Sequence, residues 1–314
     1  MKIALCFIIN YEHILNKEEI WKKWIEPNED IINVYFYYKD YRKIKSKWIL
    51  EHTIPPNNIH ETSYFHVIPA YISVMNFAFN HDNENNWFCL LTDSCCPVIS
   101  PKRFRYMFYN HYGNSIFKWS KPWWNPEFNK RSNLLMLPKD LWVANDPWFI
   151  LTRINVHQII NFMKTQQKIV KTICDGGLAN ETLFSVILKC YNEISFDSNS
   201  SRIINAPTHI TDWNRRSSTT SPHVFSEGNQ QDIKFINEEL ERNKYAFFIR
   251  KVSTEFPDDI LNHYIYKRTN LEDDMLVLNV PFAMTINKVK IIMKKIIFGF
   301  ILLFGFYSLL EYIN

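Results

Sequence analysis

The chain has 314 residues, 46% hydrophobic and 16% aromatic, enough to bury a sizeable core in one large domain or two closely packed halves. Its formal net charge of +4 is spread along the sequence with no basic stripe interleaved with aromatics, which sets nucleic-acid binding aside. With 6 glycines, and neither GxGxxG nor GxxxxGK[ST] present, a glycine-rich nucleotide loop is excluded.

Lys2 to Ile9 reads as a buried first strand; its apolar run is too short for a signal peptide and lacks a small-residue cleavage site. Lys17 to Trp24 has the spacing of an amphipathic helix, and Ile31 to Tyr38 is a second strand, rich in β-branched and aromatic residues. Tyr64 to Phe79 is helical in period, and Trp87 to Leu91 is a fully apolar third strand. A helix near Lys102 to Tyr112 leads into a polar, tryptophan-rich stretch to Leu141. Further helices are expected from Val156 to about Ile173 and from Glu181 to Lys189, the latter with Asn180 as its cap. Asn205 to Asn229 is irregular, Gln231 to Asn243 helical, and Ala246 to Ile249 a short strand. This alternation predicts an α/β fold with a mixed, mainly parallel sheet flanked by helices.

The C-terminal sequence differs in kind. Ile296 to Leu310 carries no charge and is preceded by Lys288, Lys290, Lys294 and Lys295. A spanning helix needs about 20 apolar residues, so the run is short unless the lysines snorkel. The expected organisation is a folded domain over 1–269, a connector over 270–290 (where Met275 to Val280 could add a strand) and a hydrophobic membrane-anchor helix over 291–314. Lysines on the near side would put the large domain in the cytosol. The acceptor sequons Asn180-Glu-Thr182 and Asn199-Ser-Ser201 agree with that side, because lumenal exposure would glycosylate them.

Local features nominate few residues unaided. Asp93 and Ser94 follow the apolar third strand, where ligands of open α/β sheets bind, though Asp93 could equally cap a turn before Pro97. Arg250-Lys251 emerges directly from Ala246-Phe-Phe-Ile249, and Arg215-Arg216 follows Asp212-Trp213; both could be ordinary surface pairs. Glu181 opens an apolar helix, where a carboxylate suits the helix dipole. The six cysteines (Cys6, Cys89, Cys95, Cys96, Cys174, Cys190) lack metal-ligand spacing and read as reduced core thiols. His209, Asp212 and His223 match no metal-ligand signature either.

The order of these segments is more informative than any one of them. Ile3-Ala-Leu-Cys-Phe-Ile-Ile-Asn-Tyr-Glu-His13, Val34-Tyr-Phe-Tyr-Tyr-Lys-Asp40 and Trp87-Phe-Cys-Leu-Leu-Thr-Asp-Ser-Cys-Cys-Pro97 stand in sequence. They are followed by Trp142-Val-Ala-Asn-Asp-Pro-Trp-Phe-Ile-Leu-Thr-Arg153, Asn180-Glu-Thr182, Thr208-His-Ile-Thr-Asp-Trp213 with Ser221-Pro-His223, and Phe247-Phe-Ile-Arg-Lys251. Over roughly residues 2 to 256 this series resembles the core-2/I-branching glycosyltransferases. Asn145-Asp146 replaces that family's Gly-Ser, Asn180 replaces the Asp before its catalytic Glu, and its His-Pro is inverted to Pro-His.

The resemblance implies a GT-A-like fold and inverting transfer of a sugar, N-acetylglucosamine first among them, from a UDP-sugar to a glycan or glycoprotein hydroxyl. Such transfer needs a base for the acceptor hydroxyl and positive charge for the departing diphosphate. Glu181 stands at the family's base. Lys251 stands at its diphosphate contact, helped by Arg250 and Arg215 or Arg216, with Asp93 and Ser94 bordering the donor. Trp148 and Arg153 fall in the acceptor-side segment, and the faces of Trp123, Trp124 and Trp148 suit sugar rings as well as they suit a core or rim. Asp93-Ser94-Cys95 lacks the second carboxylate of a metal-binding Asp-x-Asp, so neither a metal nor another cofactor is expected. The replaced residues leave an alternative, a catalytically degenerate, membrane-attached glycan-binding or structural protein.

Overall fold

The computed structural model describes residues 1–9, 12–63, 66–197 and 202–267. Strand β1 (Lys2–Ile8) is buried on both faces, and the period of a strand decides where each side chain goes. Ile3, Leu5 and Phe7 enter one core layer; Ala4, Cys6 and Ile8 enter the other. Helix α1 (Glu18–Ile25) then delivers Trp21 and Trp24 to the first layer, where Trp21 meets Phe7 edge-on at 4.9 Å. Strand β2 (Ile32–Tyr37), a short α2 (Lys47–Glu51) and α3 (Ile68–His81) follow, and β3 (Asn85–Thr92) completes a parallel trio with β1 at its centre.

The remaining elements are β4 (Cys96–Pro97), α4 (Pro101–His111), β5 (Ser115–Ile116), β6 (Trp119–Ser120), β7 (Ala144–Asn145), β8 (Ile150–Thr152) and α5 (Arg153–Thr165). After them come α6 (Gln167–Asp175), α7 (Leu183–Cys190), β9 (Ile203–Ile204), β10 (His209–Ile210), α8 (Gln230–Arg242), β11 (Phe248–Ile249) and α9 (Asp258–Asn262). The main sheet has six strands in the order β2-β1-β3-β8-β5-β9, and β8 alone runs against its neighbours. Helices α1, α4 and α8 pack on one face and α3, α5, α6 and α7 on the other. The expected α/β class, with a mixed sheet flanked by helices, is what the structure has.

A second sheet, β10-β11-β4, positions the site. It carries Arg250 and Lys251 from the end of β11 to the backbone beside Ser94, where Val252 N donates to Ser94 O at 2.9 Å. The stretch expected to be irregular over Asn205 to Asn229 therefore contributes a strand, because β10 pairs with β11.

Two helix expectations need correction. The helix over Val156 to Ile173 is two helices, broken where Gln166 leaves helical geometry at φ −113°, ψ 41°. Glu181 does not open α7. Ala179–Glu181 forms its own 3-10 turn behind a left-handed Leu178 (φ 51°), and α7 starts at Leu183, so Asn180 does not cap it.

All six cysteines are free; Cys6, Cys89, Cys95 and Cys96 are buried, Cys174 is half-buried and Cys190 is exposed. Among the described residues no helix is long and apolar enough to cross a membrane. The expected connector (270–290), anchor helix (291–314) and the sequon at Asn199 lie outside the described residues.

Candidate active site

A cavity of ≈ 830 Å³ opens at the carboxyl ends of β1 and β2, lined there by Ile8, Ile9 and Tyr37. Glu181 and Lys251, which are 70 positions apart in sequence, line this same cavity, together with Arg250, Arg216 and Trp148. An acid and a group of cations thus line one cleft.

The acidic wall is built by the turn between α6 and α7. Asn145 clamps that turn: its Nδ2 donates to Asn180 O at 2.9 Å, and its Oδ1 accepts from Ser185 N at 3.1 Å. The asparagine that replaces a glycine of the resembled motif therefore fixes the backbone on both sides of Glu181. The Glu181 carboxylate accepts from Arg131 Nη1 at 2.9 Å, and the Arg131 guanidinium lies over the Trp124 ring at 4.9 Å. Burial pushes the Glu181 carboxyl above its ordinary range; Arg131 opposes the shift and the nearby Asp146 carboxylate adds to it. Asp146 also lines the cavity, and burial pushes it up to about 6 against the pull of Lys118.

The cationic wall is more deeply buried. Arg250 is 6% exposed, with its guanidinium 3.6 Å from the centre of the Trp148 ring. Among the described residues its Nε and Nη1 have no hydrogen-bond partner. A buried cation with unused donors is unfavourable unless an anion completes it. Burial lowers the Arg250 pKa, and the carboxylate of Asp93 acts the other way. Lys251 donates from Nζ to Ser221 Oγ at 2.7 Å; burial and then Arg250 lower its pKa, and Asp93 again opposes. Two cations held beside one another in the lining of a cavity suit a polyanion.

The other nominated residues divide. Arg216 reaches the cavity, but Arg215 turns inward, donating to Asp212 Oδ2 at 2.6 Å and to Asp232 Oδ1 at 2.8 Å. Asp93 and Ser94 do not line the cavity; Asp93 acts on both cations through its charge, and Ser94 Oγ is 3.4 Å from Thr92 Oγ1. Arg153 is not brought there either. It begins α5, stacks on Phe79 at 3.9 Å and donates to Phe79 O, Asp82 O and Asn85 O, bracing α3 against the sheet. Trp148 does line the cavity, with a face spent on Arg250.

His209, Asp212 and His223 have separate partners: Thr208, Arg215 and Asp232 respectively. Among the described residues no group of three or more His, Cys, Asp or Glu is placed to hold a metal ion.

Sequence reasoning missed Arg131. It sits in a polar stretch without periodicity, and its partner lies 50 positions away.

A protein-family model described as Core-2/I-Branching enzyme matches residues 8–237 of the chain. That span contains Glu181, Trp148 and Arg131 and ends before Arg250 and Lys251. No curated protein matches the chain.

Proposed function

The chain belongs to the Core-2/I-Branching enzyme family of glycosyltransferases, and on that premise we propose an inverting, metal-independent transfer of N-acetylglucosamine from a UDP-sugar to a glycan hydroxyl. The observation that carries the reading is the shared cavity, whose lining includes Glu181, Arg250 and Lys251.

Glu181 takes the proton of the acceptor hydroxyl as that oxygen attacks the anomeric carbon from the face opposite the diphosphate. The bond from the anomeric carbon to the diphosphate oxygen breaks, and UDP departs with the electron pair. Arg250 and Lys251 neutralise the charge that develops on it, a role that falls to a divalent ion in metal-dependent enzymes. Arg131 positions the Glu181 carboxylate and opposes the upward push that burial gives it. Trp123, Trp124 and Trp213, all on the cavity wall, offer faces to acceptor sugar rings.

Attachment to a membrane through the C-terminal residues, with the large domain facing the cytosol, rests on the lysine-flanked apolar run over 296–310. Asn180 supports the same side: it lines the cavity, and a glycan there would fill it.

Calorimetric titration of the full chain with UDP in the presence of EDTA tests the donor half. Binding is expected, with Lys251→Ala weakening it by about 10- to 100-fold, the worth of a hydrogen bond to a charged group. Equal affinity in the two proteins would remove the cationic wall from the mechanism. Donor binding without any transfer would favour the degenerate, glycan-binding reading.

A further inference from the structure

Of the residues lining the cavity two are acidic, Asp146 and Glu181. Glu181 is paired with Arg131. The Asp146 carboxylate makes no hydrogen bond and no ion pair among the described residues. Its backbone is already used: the N–H donates to Lys118 O at 3.0 Å, and the carbonyl accepts from Asn145 Nδ2 at 2.9 Å. What Asp146 has left for a ligand is therefore its carboxylate. Burial raises its pKa to about 6, so at neutral pH it is an ionised, partly desolvated acceptor. Such a group gains from any donor that reaches it.

Its place in the fold says which substrate it meets. Strand β7 ends at Asn145, whose Nδ2 also donates to Asn180 O, so position 146 leaves the strand beside the turn that carries Glu181. The charge of Asp146 acts on Glu181, whereas the carboxylate that acts on Arg250 and Lys251 is that of Asp93. Asp146 thus stands with the base, and a negative charge there repels a diphosphate.

Chemistry narrows the ligand group. The serine that the resembled motif has at this position carries one oxygen, which both donates and accepts. Aspartate offers two oxygens that only accept. Two adjacent ring hydroxyls of a sugar, each donating one hydrogen bond, match such a pair.

We propose that Asp146 is a specificity-determining residue: its carboxylate holds the acceptor sugar by two adjacent hydroxyls and discriminates against sugars that lack either of them. Calling the bound sugar the acceptor rests on the transfer reaction proposed above; the binding itself does not.

The test uses the full chain with UDP present. Immobilised neutral oligosaccharides ending in galactose, glucose, mannose or an N-acetylhexosamine are probed first, and the best bound is titrated beside its monodeoxy forms. Loss of one hydroxyl of the pair should weaken binding to the unaltered protein by about 10- to 100-fold, the worth of a hydrogen bond to a charged group. Asp146→Ala should bind the complete sugar more weakly by a similar factor. It should bind the deoxy sugar no worse than the complete one, because the two changes remove the same contact. Asp146→Ser is the second variant, and thermal melts report whether each is folded. In transfer assays above the acid limb, both should raise the acceptor KM and leave kcat and the donor Kd near their original values.

The same deoxy penalty in Asp146→Ala as in the unaltered protein overturns the proposal, as does binding to none of the oligosaccharides. A fall in kcat at unchanged KM also overturns it, since Asp146 would then act in the chemical step. Transfer with an unaltered acceptor KM in both variants removes this inference and keeps the transferase reading. Deoxy-sensitive binding without transfer keeps this inference and removes that reading.

Discussion

At the residue scale the account depends on how three side chains set one ionisation. Glu181 is pushed up by burial and by Asp146, and held down by Arg131. A general base works only when ionised, so the acid limb of the kcat/KM profile should lie above the ordinary glutamate value of about 4.3. Asp146→Asn removes a charge that raises Glu181 and should move that limb to lower pH. Arg131→Gln removes the charge that lowers it and should move the limb to higher pH. A pH–rate series on the three proteins checks both signs; shifts in the same direction would contradict the arrangement. Stability follows its own sign. Asp146 holds its proton more tightly folded than unfolded, so stability is lost as pH rises from the ordinary Asp range of about 3.9 toward 6. Asp146→Asn should flatten that loss in thermal melts taken across the same interval.

At the element scale the critical contact is between two turns. Gly176 follows α6, and a Cβ built there would lie 2.3 Å from Asn133 N and 2.6 Å from Ser132 C. Both clashing groups are backbone, so the loop bearing Arg131 can approach the Glu181 turn only past a glycine. Gly176→Ala should destabilise by about 1–3 kcal/mol, the usual penalty of overpacking. It should also raise the acid limb as Arg131→Gln does, because Arg131 is displaced. A melt combined with the pH profile reads both; an unchanged limb would mean that the loop position does not control Glu181. This contact was not legible in the sequence, since its two sides lie more than 40 positions apart. The long elements were legible: β1 and β3 hold apolar runs, β2 is rich in β-branched and aromatic residues, and α1, α3, α4 and α8 keep a helical period. The two-residue strands β5, β9 and β10 are too short for any period, and nothing like Gly or Pro announces the break at Gln166. Glu181, Arg250 and Lys251 could be nominated because segment order resembled a known family. Arg131 could not, since ion pairs across distant segments leave no local pattern, and Arg153 was placed by its motif but spends its donors on bracing α3.

At the scale of the whole molecule, the main sheet supplies the rigid floor and the small sheet supplies the cations. Strands β1 and β2 end at the cavity, and the pairing of β11 with β4 and β10 brings residues 250 and 251 to the same cavity as Glu181, the proposed base, on the turn before α7. Such a division makes a sharp demand: the base should act on the chemical step alone, leaving donor binding to the two cations. The most direct test is to measure UDP-N-acetylglucosamine affinity and transfer rate together, in EDTA, for the full chain and for Glu181→Gln. The expected result is an unchanged donor Kd with a transfer rate lowered by about 10²- to 10⁴-fold, the span of a lost general base. A Glu181→Gln protein that transfers the sugar at the undiminished rate would contradict the account.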